Sequence, residues 1–328
     1  MDNRSGIDVR WFALISFILG VILVGSVGCS RSEPPPTPDA ETSRSADLPS
    51  QTTVVATGAG LPQVVAGINA GALNAAGISA TVITRDDIPD AVAALERDVA
   101  DLLIAPIGRL ADVVSVNDSE STSASASPTT QPEASNLDET LANLDPALSA
   151  QDLTLLAPAQ AIDGLVFAVT QARSDSEDLR SLSDLANFSQ EQMVQLGAGP
   201  GCDSRPSCLP TLVDGYAVEI AGVTEAKADK VPALVGDRRV TVGQVQSTDP
   251  DIDGLRLAVL QDDRIVSAPQ NLVPLISDSV NVPEVADVIN QVQEAITTED
   301  LRDFTAALER GNDPYQVADS WVTTRLSS

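Results

Sequence analysis

From residue 52 onward, short runs of β-branched residues alternate with stretches rich in alanine and leucine. TTVVAT at 52–57 has the composition of a strand, and LPQVVAGINAGALNAAG at 61–77 has apolar residues at helical spacing. A strand at 78–84, a helix over 86–100 and a strand at 100–106 continue the alternation. Strands that alternate with helices pack as sheets covered by helices. The sequence therefore predicts an α/β protein with mostly parallel sheets and flanking helices.

Beyond residue 136 the alternation returns and then gives way to helices. The predicted strands lie at 153–158, 165–170, 193–199 and within 240–263, and the predicted helices at 137–149, 181–188, 283–296, 298–311 and 314–326. Thr297 is the expected N-cap of helix 298–311 and Gly311 its expected end, and Pro314 suits the first turn of the last helix. At about 150 residues per domain, 328 residues correspond to roughly two domains.

The charge balance excludes several kinds of function. Lys and Arg number 19 and Asp and Glu 47, which gives a net charge of −28 that repels nucleic acid. The chain has no histidine, so a Ser-His-Asp triad, a Cys-His pair and a His-bearing zinc site cannot form. The acidic run at 249–254 resembles a calcium loop, but Leu260 stands where such a loop needs a bidentate Glu. We expect no enzyme activity, no metal and no cofactor.

The N-terminus is predicted to be an export signal. Residues 11–28 form an apolar run that ends in small residues directly before Cys29. SVGC at 26–29 is close to a lipoprotein cleavage box, which predicts a signal peptide at 1–28 and a lipid-modified Cys29 on the outer face of the cell membrane. The alternative is an uncleaved membrane helix, because the run approaches the roughly 20 residues that span a bilayer.

Two polar segments are predicted to be disordered. Residues 29–51 are rich in Pro, Ser and Asp and have too few apolar side chains to fold, so they are expected to form a tether. Residues 116–136 are a low-complexity stretch rich in Ser and Thr, which predicts a surface insertion in the first lobe.

Cys202 and Cys208 are predicted to form a disulfide. They lie in GPGCDSRPSCLP at 199–210, where Gly and Pro turn the chain back over a short loop. Outside the membrane, an even pair at such a spacing favours a disulfide. The spacing does not match a CxxC motif, and a metal site here lacks further ligands.

Several segments follow one another in a recognisable order: LAPAQAIDGLVFAVT, SLSDLANF, the cysteine-bearing stretch with Tyr216, STD, LRLAVLQDD and APQNLVPLI. In this order they resemble the substrate-binding proteins of ABC importers for glycine betaine, choline and related quaternary ammonium osmolytes. The resemblance covers about residues 52–326. Its most specific segment, GCDSRPSCLP, is similar to a CPTRPxCLPGL stretch in many family members, and Asp313-Pro314 followed by Trp321 matches their C-terminal helix.

The resemblance implies a two-lobed, type II periplasmic-binding-protein-like clamp with a discontinuous first lobe. Lobe 1 would comprise residues 52–157 and 247–328 and lobe 2 residues 158–246, with crossings near Pro158 and Gln246. A small solute, a quaternary ammonium compound or an altered ligand, would be held between the lobes. An ABC permease in the membrane would sense their closure.

The sequence departs from the family where the cation would be bound. Leu103 and Pro106 stand where tyrosines are expected, and Gln270 stands where another aromatic residue is common. ATGAGLPQ, which contains Thr57 and Gly58, replaces a GSKxFTEQ-like stretch. Each ring that faces a trimethylammonium group contributes roughly 0.5–2 kcal/mol, so a site without them binds such a group weakly.

Asp163, the turn Ser247-Thr248-Asp249 and Asn271 match the family and are candidates for lining the cleft, because carboxylates attract a cation without rings. The alternative is that these side chains merely cap turns. The full set of candidate ligand-binding residues is Thr57, Gly58, Leu103, Pro106, Asp163, Ser247, Thr248, Asp249, Gln270 and Asn271.

Three functional hypotheses follow. The first is an extracytoplasmic, lipid-anchored solute-binding component of an ABC importer, with an altered or broadened ligand. The second is a lipoprotein that keeps the clamp fold, binds no small molecule and acts as an interaction or regulatory protein. The third, an extracellular hydrolase, finds no supporting motif.

Overall fold

The computed structural model describes residues 48–121 and 136–326. The predicted signal peptide, Cys29 and the tether up to residue 47 lie outside these ranges, as do residues 122–135 of the predicted insertion. Within the described ranges, every helix is too short or too polar to cross a bilayer.

Two five-stranded sheets with flanking helices make up the described chain. The elements leading into and through the first sheet are β1 (Thr52–Thr57), α1 (Leu61–Ala75), β2 (Ala80–Arg85), α2 (Ile88–Leu95), β3 (Leu102–Pro106), α3 (Ile107–Ser121), α4 (Leu137–Ser149) and β4 (Leu153–Leu155). Those of the second sheet are β5 (Leu165–Thr170), α5 (Gln171–Glu177), α6 (Leu182–Ser189), β6 (Val194–Ala198), β7 (Ile220–Glu225), α7 (Val231–Gly236), β8 (Val242–Gln246), α8 (Asp251–Gly254) and β9 (Leu257–Val259). The chain ends with β10 (Leu272–Ser277), α9 (Pro283–Ala295), α10 (Thr298–Glu309) and α11 (Pro314–Arg325).

Both sheets are mixed, and each contains one reversed strand. The order is β2-β1-β3-β10-β4 in the first sheet and β7-β6-β8-β5-β9 in the second. Only β10 and β5 run against their neighbours, so each sheet has two parallel and two antiparallel pairings. These are the strands that follow a crossing between the sheets. Each starts beside the last residue of an antiparallel neighbour, β10 at the end of β3 and β5 at the end of β8. The predicted α/β class is confirmed, and parallel direction holds for four strands of each five.

The return crossing lies later in the chain than predicted. We expected the chain to leave the second lobe near Gln246, but β9 at Leu257–Val259 pairs with β5 in the second sheet. The chain therefore stays with that sheet until after Val259 and enters the first sheet only at Leu272. The boundary at residue 247 is wrong because β9 is too short to show a pairing partner by its own sequence pattern.

The first sheet is covered on one side by α1, which packs against α9, α10 and α11. Val64, Ile68 and Leu73 of α1 are completely buried at helical spacing, as predicted. Gly67 permits the close approach of α11, since a Cβ at this position would lie 3.0 Å from the Cβ of Ala318. The core is thus built from aliphatic side chains and small residues at the helix contacts.

The predicted disordered insertion is partly wrong. The backbone of residues 116–121 continues α3, and Asn136 caps α4 by accepting a hydrogen bond from Glu139 N at 2.8 Å. A helix that starts on a packed turn propagates into polar sequence, because each further residue adds a backbone hydrogen bond. Low-complexity composition alone did not indicate where α3 ends.

The predicted helix ends of the C-terminal region are confirmed. Thr297 caps α10 through a capping box with Asp300, and Gly311 follows the helix with a φ of 86°. Pro314 occupies the first turn of α11, and Asp313 caps it.

Candidate functional site

The carboxyl ends of the parallel strands point to a common region where the chain crosses between the sheets. In the first sheet, β1 and β3 end at Thr57 and Pro106 and continue into α1 and α3. In the second, the parallel strands β6 and β8 end at Ala198 and Gln246. Ligands of open α/β sheets bind beyond such ends, so this region is the candidate functional site.

The two crossing segments are hydrogen-bonded to each other. Asp163 N donates to Gln270 O at 3.0 Å, and Leu272 N donates to Ala161 O at 2.9 Å. The Asn271 side chain donates to Ala159 O at 2.9 Å. The structure thus brings together Asp163, Gln270 and Asn271, which the sequence had singled out separately.

Gln270 lies between a glycine of α3 and the glycine before β5. A Cβ at Gly108 would lie 2.3 Å from Gln270 Nε2, and a Cβ at Gly164 would lie 2.4 Å from Gln270 Cγ. Real Cβ atoms do not approach other atoms this closely, so both positions require glycine while Gln270 keeps this position. The Gln270 side chain therefore contacts elements of both sheets.

Asp163 is a half-buried carboxylate at the first crossing. Its Oδ1 accepts a hydrogen bond of 2.6 Å from Gln246 Nε2 at the end of β8. Burial raises the pKa of Asp163, while the Gln246 hydrogen bond and the positive charge of Arg109 act in the opposite direction. Arg109 belongs to the first turn of α3, so groups from both sheets act on this one carboxylate.

The sequence reasoning missed a second charged group, Arg205, which is held by Gln244 of β8. Arg205 Nη2 donates to Gln244 Oε1 at 2.8 Å, and Gln244 Nε2 donates to Ser207 O. Arg205 Nε is buried and has no hydrogen-bond partner among the described residues. Side chains two positions apart on a strand face the same side, so Gln244, which holds Arg205, and Gln246, which holds Asp163, lie on one face of β8.

The loop that carries Arg205 is held by the predicted disulfide. Cys202 and Cys208 are bonded, and both are fully buried in the core of the second sheet. Cys208 N donates to Arg205 O at 2.9 Å, which closes the turn between them. The position of Arg205 between two cysteines in the sequence, shortly after a predicted strand, was the signal that could have indicated it as a functional residue.

Several of the predicted ligand-binding residues have other roles in this structure. Leu103 is completely buried among core residues next to α2, and Pro106 is buried where β3 pairs with β10. A residue in the middle of a central strand has no surface to offer a ligand, so the assignment of Leu103 to the cleft is wrong for this structure. Thr57 and Gly58 are half-buried at the end of β1 and remain candidates.

The turn Ser247-Thr248-Asp249 is hydrogen-bonded to the first crossing segment. Ser247 Oγ accepts from Gly164 N at 3.1 Å and donates to Ile162 O at 2.7 Å, and Thr248 is 5% exposed. Asp249 accepts from Asp251 N at 2.9 Å. These internal bonds support the alternative that the turn residues hold the backbone.

Aromatic side chains in the part of the chain that the structure describes are packed in the two cores or lie on α11. Phe167 and Phe188 belong to the core of the second sheet and Phe304 and Trp321 to that of the first, and Tyr315 is on α11. Tyr216 is 1% exposed, and its hydroxyl donates to Asp262 and accepts from Arg264 N. Tyr216 is thereby held in place by the segment that follows β9.

A cavity of about 540 Å³ lies elsewhere, between α10 and α11. Its most buried polar group, Asp300, accepts hydrogen bonds from Trp321 Nε1 and Arg325 Nη2, both at 3.1 Å. These groups satisfy one another's hydrogen-bonding capacity, so few of the buried polar groups in this cavity are open to a ligand.

Comparison with known proteins identifies the family and the fold. Residues 53–324 match the family described as the substrate binding domain of ABC-type glycine betaine transport systems. Apo YehZ from Escherichia coli is 18% identical, with a TM-score of 0.71 over 84% of this chain and 99% of its own. A glycine betaine/carnitine/choline ABC transporter structure, also 18% identical, has a TM-score of 0.69 over 83% of this chain and 98% of its own.

Among curated proteins none matches the sequence. The two structures show that the fold is that of the type II periplasmic-binding-protein-like substrate-binding domains, with two mixed sheets and flanking helices. The family match covers most of the chain and includes both crossings and the loop of Arg205. This protein belongs to the family of substrate-binding domains of ABC-type glycine betaine transport systems.

Proposed function

We propose that this protein is the extracytoplasmic solute-binding component of an ABC importer and delivers a small solute to a membrane permease. The observation that carries the proposal is that Gln246 and Arg109 both act on Asp163 where the chain crosses between the sheets. Gln244, on the same strand as Gln246, holds Arg205. Arg109 comes from the first-sheet side and Arg205 from the second, so a solute that bonds to both stabilises a closed arrangement of the two.

The role of Arg205 follows from its unfilled hydrogen-bond capacity. Its Nη2 is held by Gln244, while its buried Nε has no acceptor in the described ranges. An unpartnered buried donor is unfavourable by about 1–3 kcal/mol, and an anionic group of a solute relieves this. Arg205 is therefore proposed to bind the anionic end of the solute.

The first experiment is a thermal-shift screen of the purified protein against glycine betaine, choline, carnitine, amino acids and other small solutes, followed by calorimetry on the compounds that shift the melting temperature. A solute at 100 times its Kd stabilises the folded state by about 2.7 kcal/mol, which is readily measured. Arg205→Gln should remove the shift, whereas the exposed control Arg238→Gln should keep it.

If no compound stabilises the protein, the importer proposal fails. The hypothesis of a clamp-fold lipoprotein without a small-molecule ligand then takes its place, supported by the turn-capping bonds of Ser247 and Asp249.

The membrane attachment is proposed to be a lipid on Cys29, placed on the outer face of the cell membrane, since SVGC at 26–29 is close to a lipoprotein box. Cells fed a labelled fatty acid should label the parent protein and not Cys29→Ser. Equal labelling of both proteins would contradict acylation at this residue.

A further inference from the structure

The candidate site offers hydrogen bonds where a quaternary ammonium group needs rings. A trimethylammonium group has no N–H and is held by the faces of aromatic rings. The described aromatic side chains are in the two cores or on α11, and Tyr216 is fixed by Asp262. The groups that do lie at the crossings are carboxylate, amide and guanidinium.

The acceptors at this position are open to an N–H donor. Asp163 Oδ1 is bonded to Gln246, and Asp163 Oδ2 has no donor among the residues that the structure describes. Gln270 uses its Nε2 on Ala268 O at 3.4 Å, and its Oε1 has no described donor either. A protonated amine with two or three N–H groups satisfies such acceptors, and a fully methylated nitrogen satisfies none.

The anionic and the cationic group are held by side chains of the same strand. Gln244 and Gln246, which hold Arg205 and Asp163, are two residues apart on β8. Side chains two positions apart face the same side of a strand, so both charged groups are held on one face of β8. A small molecule with a carboxylate and an ammonium complements this pair of charges.

We infer that the solute is a zwitterion whose cationic end carries N–H donors, such as an α-amino or imino acid, in place of a quaternary ammonium compound. Its ammonium bonds to Asp163 and Gln270, and its carboxylate to Arg205. This inference rests on the proposed function and specifies the substrate class of the same site.

The test is the dependence of affinity on N-methylation. Calorimetry compares glycine, sarcosine, N,N-dimethylglycine and glycine betaine, and in parallel proline, N-methylproline and proline betaine. A site whose acceptors bind N–H groups of the solute loses about tenfold or more in affinity from the unmethylated to the fully methylated member, because charged hydrogen bonds are lost. A site built on ring faces gives the opposite order.

The outcomes separate the two proposals. Affinity that rises with methylation, or tight binding of solutes that lack an amine, overturns the substrate class and leaves the importer function standing. Absence of binding to both series and to the wider panel overturns both.

A variant pair locates the effect. Asp163→Asn keeps the acceptor for Gln246 but lacks the negative charge, so it should reduce the preference for unmethylated over methylated ligands about tenfold. Asp287→Asn, on the exposed side of α9, should leave that preference unchanged. A preference that survives in Asp163→Asn would overturn the assignment of the ammonium to Asp163, whereas melting temperatures report any loss of folding separately.

Discussion

The half-buried carboxylate of Asp163 makes the free energy of unfolding depend on pH. Burial raises its pKa above 3.8, so between 3.8 and the raised value the folded state holds more protons than the unfolded state. The free energy of unfolding therefore falls as the pH rises through this window. Asp249, whose pKa is raised mainly by burial, acts in the same direction.

Asp163→Asn should accordingly melt at a higher temperature than the parent at pH 7, with the advantage disappearing below the unfolded pKa near 3.8, where the parent carboxyl is protonated in both states. Scanning calorimetry between pH 3.5 and 7 measures this. The control Asp287→Asn should show no such crossover. A variant less stable than the parent at pH 7 would mean that Arg109 and Gln246 outweigh the burial of the charge.

Gly164 is the second residue whose replacement has a defined consequence. A Cβ there would lie 2.6 Å from Gln270 Cβ, an atom fixed by its own backbone, so the crossing segments would have to separate. Gly164→Ala should lower the free energy of unfolding by about 1–3 kcal/mol in denaturant titrations, as overpacking does. Gly199→Ala is the matched control, because nothing lies within 4 Å of its added Cβ. Equal effects of the two changes would contradict the close packing of Gln270.

At the scale of elements, the loop between β6 and the following π turn (Thr211–Gly215) depends on its disulfide. Cys202 and Cys208 are six residues apart. A disulfide that closes so short a loop raises the free energy of unfolding by about 2 kcal/mol, because it restricts the unfolded chain. The double variant Cys202→Ala/Cys208→Ala should lose about that amount in denaturant titrations. The affinity for the solute should also fall, because Arg205 lies in the loop that this disulfide closes. Unchanged affinity in the double variant would separate Arg205 from the disulfide.

The sequence predicted most elements but not how they are arranged. Strands such as β1 and helices such as α10 have periodic cores and capping residues that local chemistry determines. The direction of β10 and the partner of β9 depend on contacts far along the chain, which a strand of a few residues does not encode by itself. The same limit applies to the site, because the pairing of Gln244 with Arg205 joins residues 39 positions apart.

At the scale of the whole molecule, the described residues include one ion pair that joins the two lobes apart from the crossing segments. Arg302 of α10, whose helix packs on the core of the first sheet, lies 2.7 Å from Asp253 of α8 and donates to Ser247 O at 3.3 Å. Asp253 belongs to the second-sheet side, because α8 leads directly into β9. Motion of one lobe relative to the other must therefore stretch or break this contact.

Arg302→Gln should increase amide hydrogen exchange in residues 247–254 and lower the free energy of unfolding by about 1 kcal/mol, since the arginine is only 17% exposed and its partner 58%. A double-mutant cycle with Asp253→Asn isolates the pair from other effects of each change. Arg325→Gln is the matched control, because its partner Asp300 lies in the same lobe. If Arg325→Gln increased exchange at 247–254 as much as Arg302→Gln, the effect would be a general loss of stability. If only Arg302→Gln did so, the contact restrains the relative motion of the lobes, and its removal should also change the affinity for a solute bound between them.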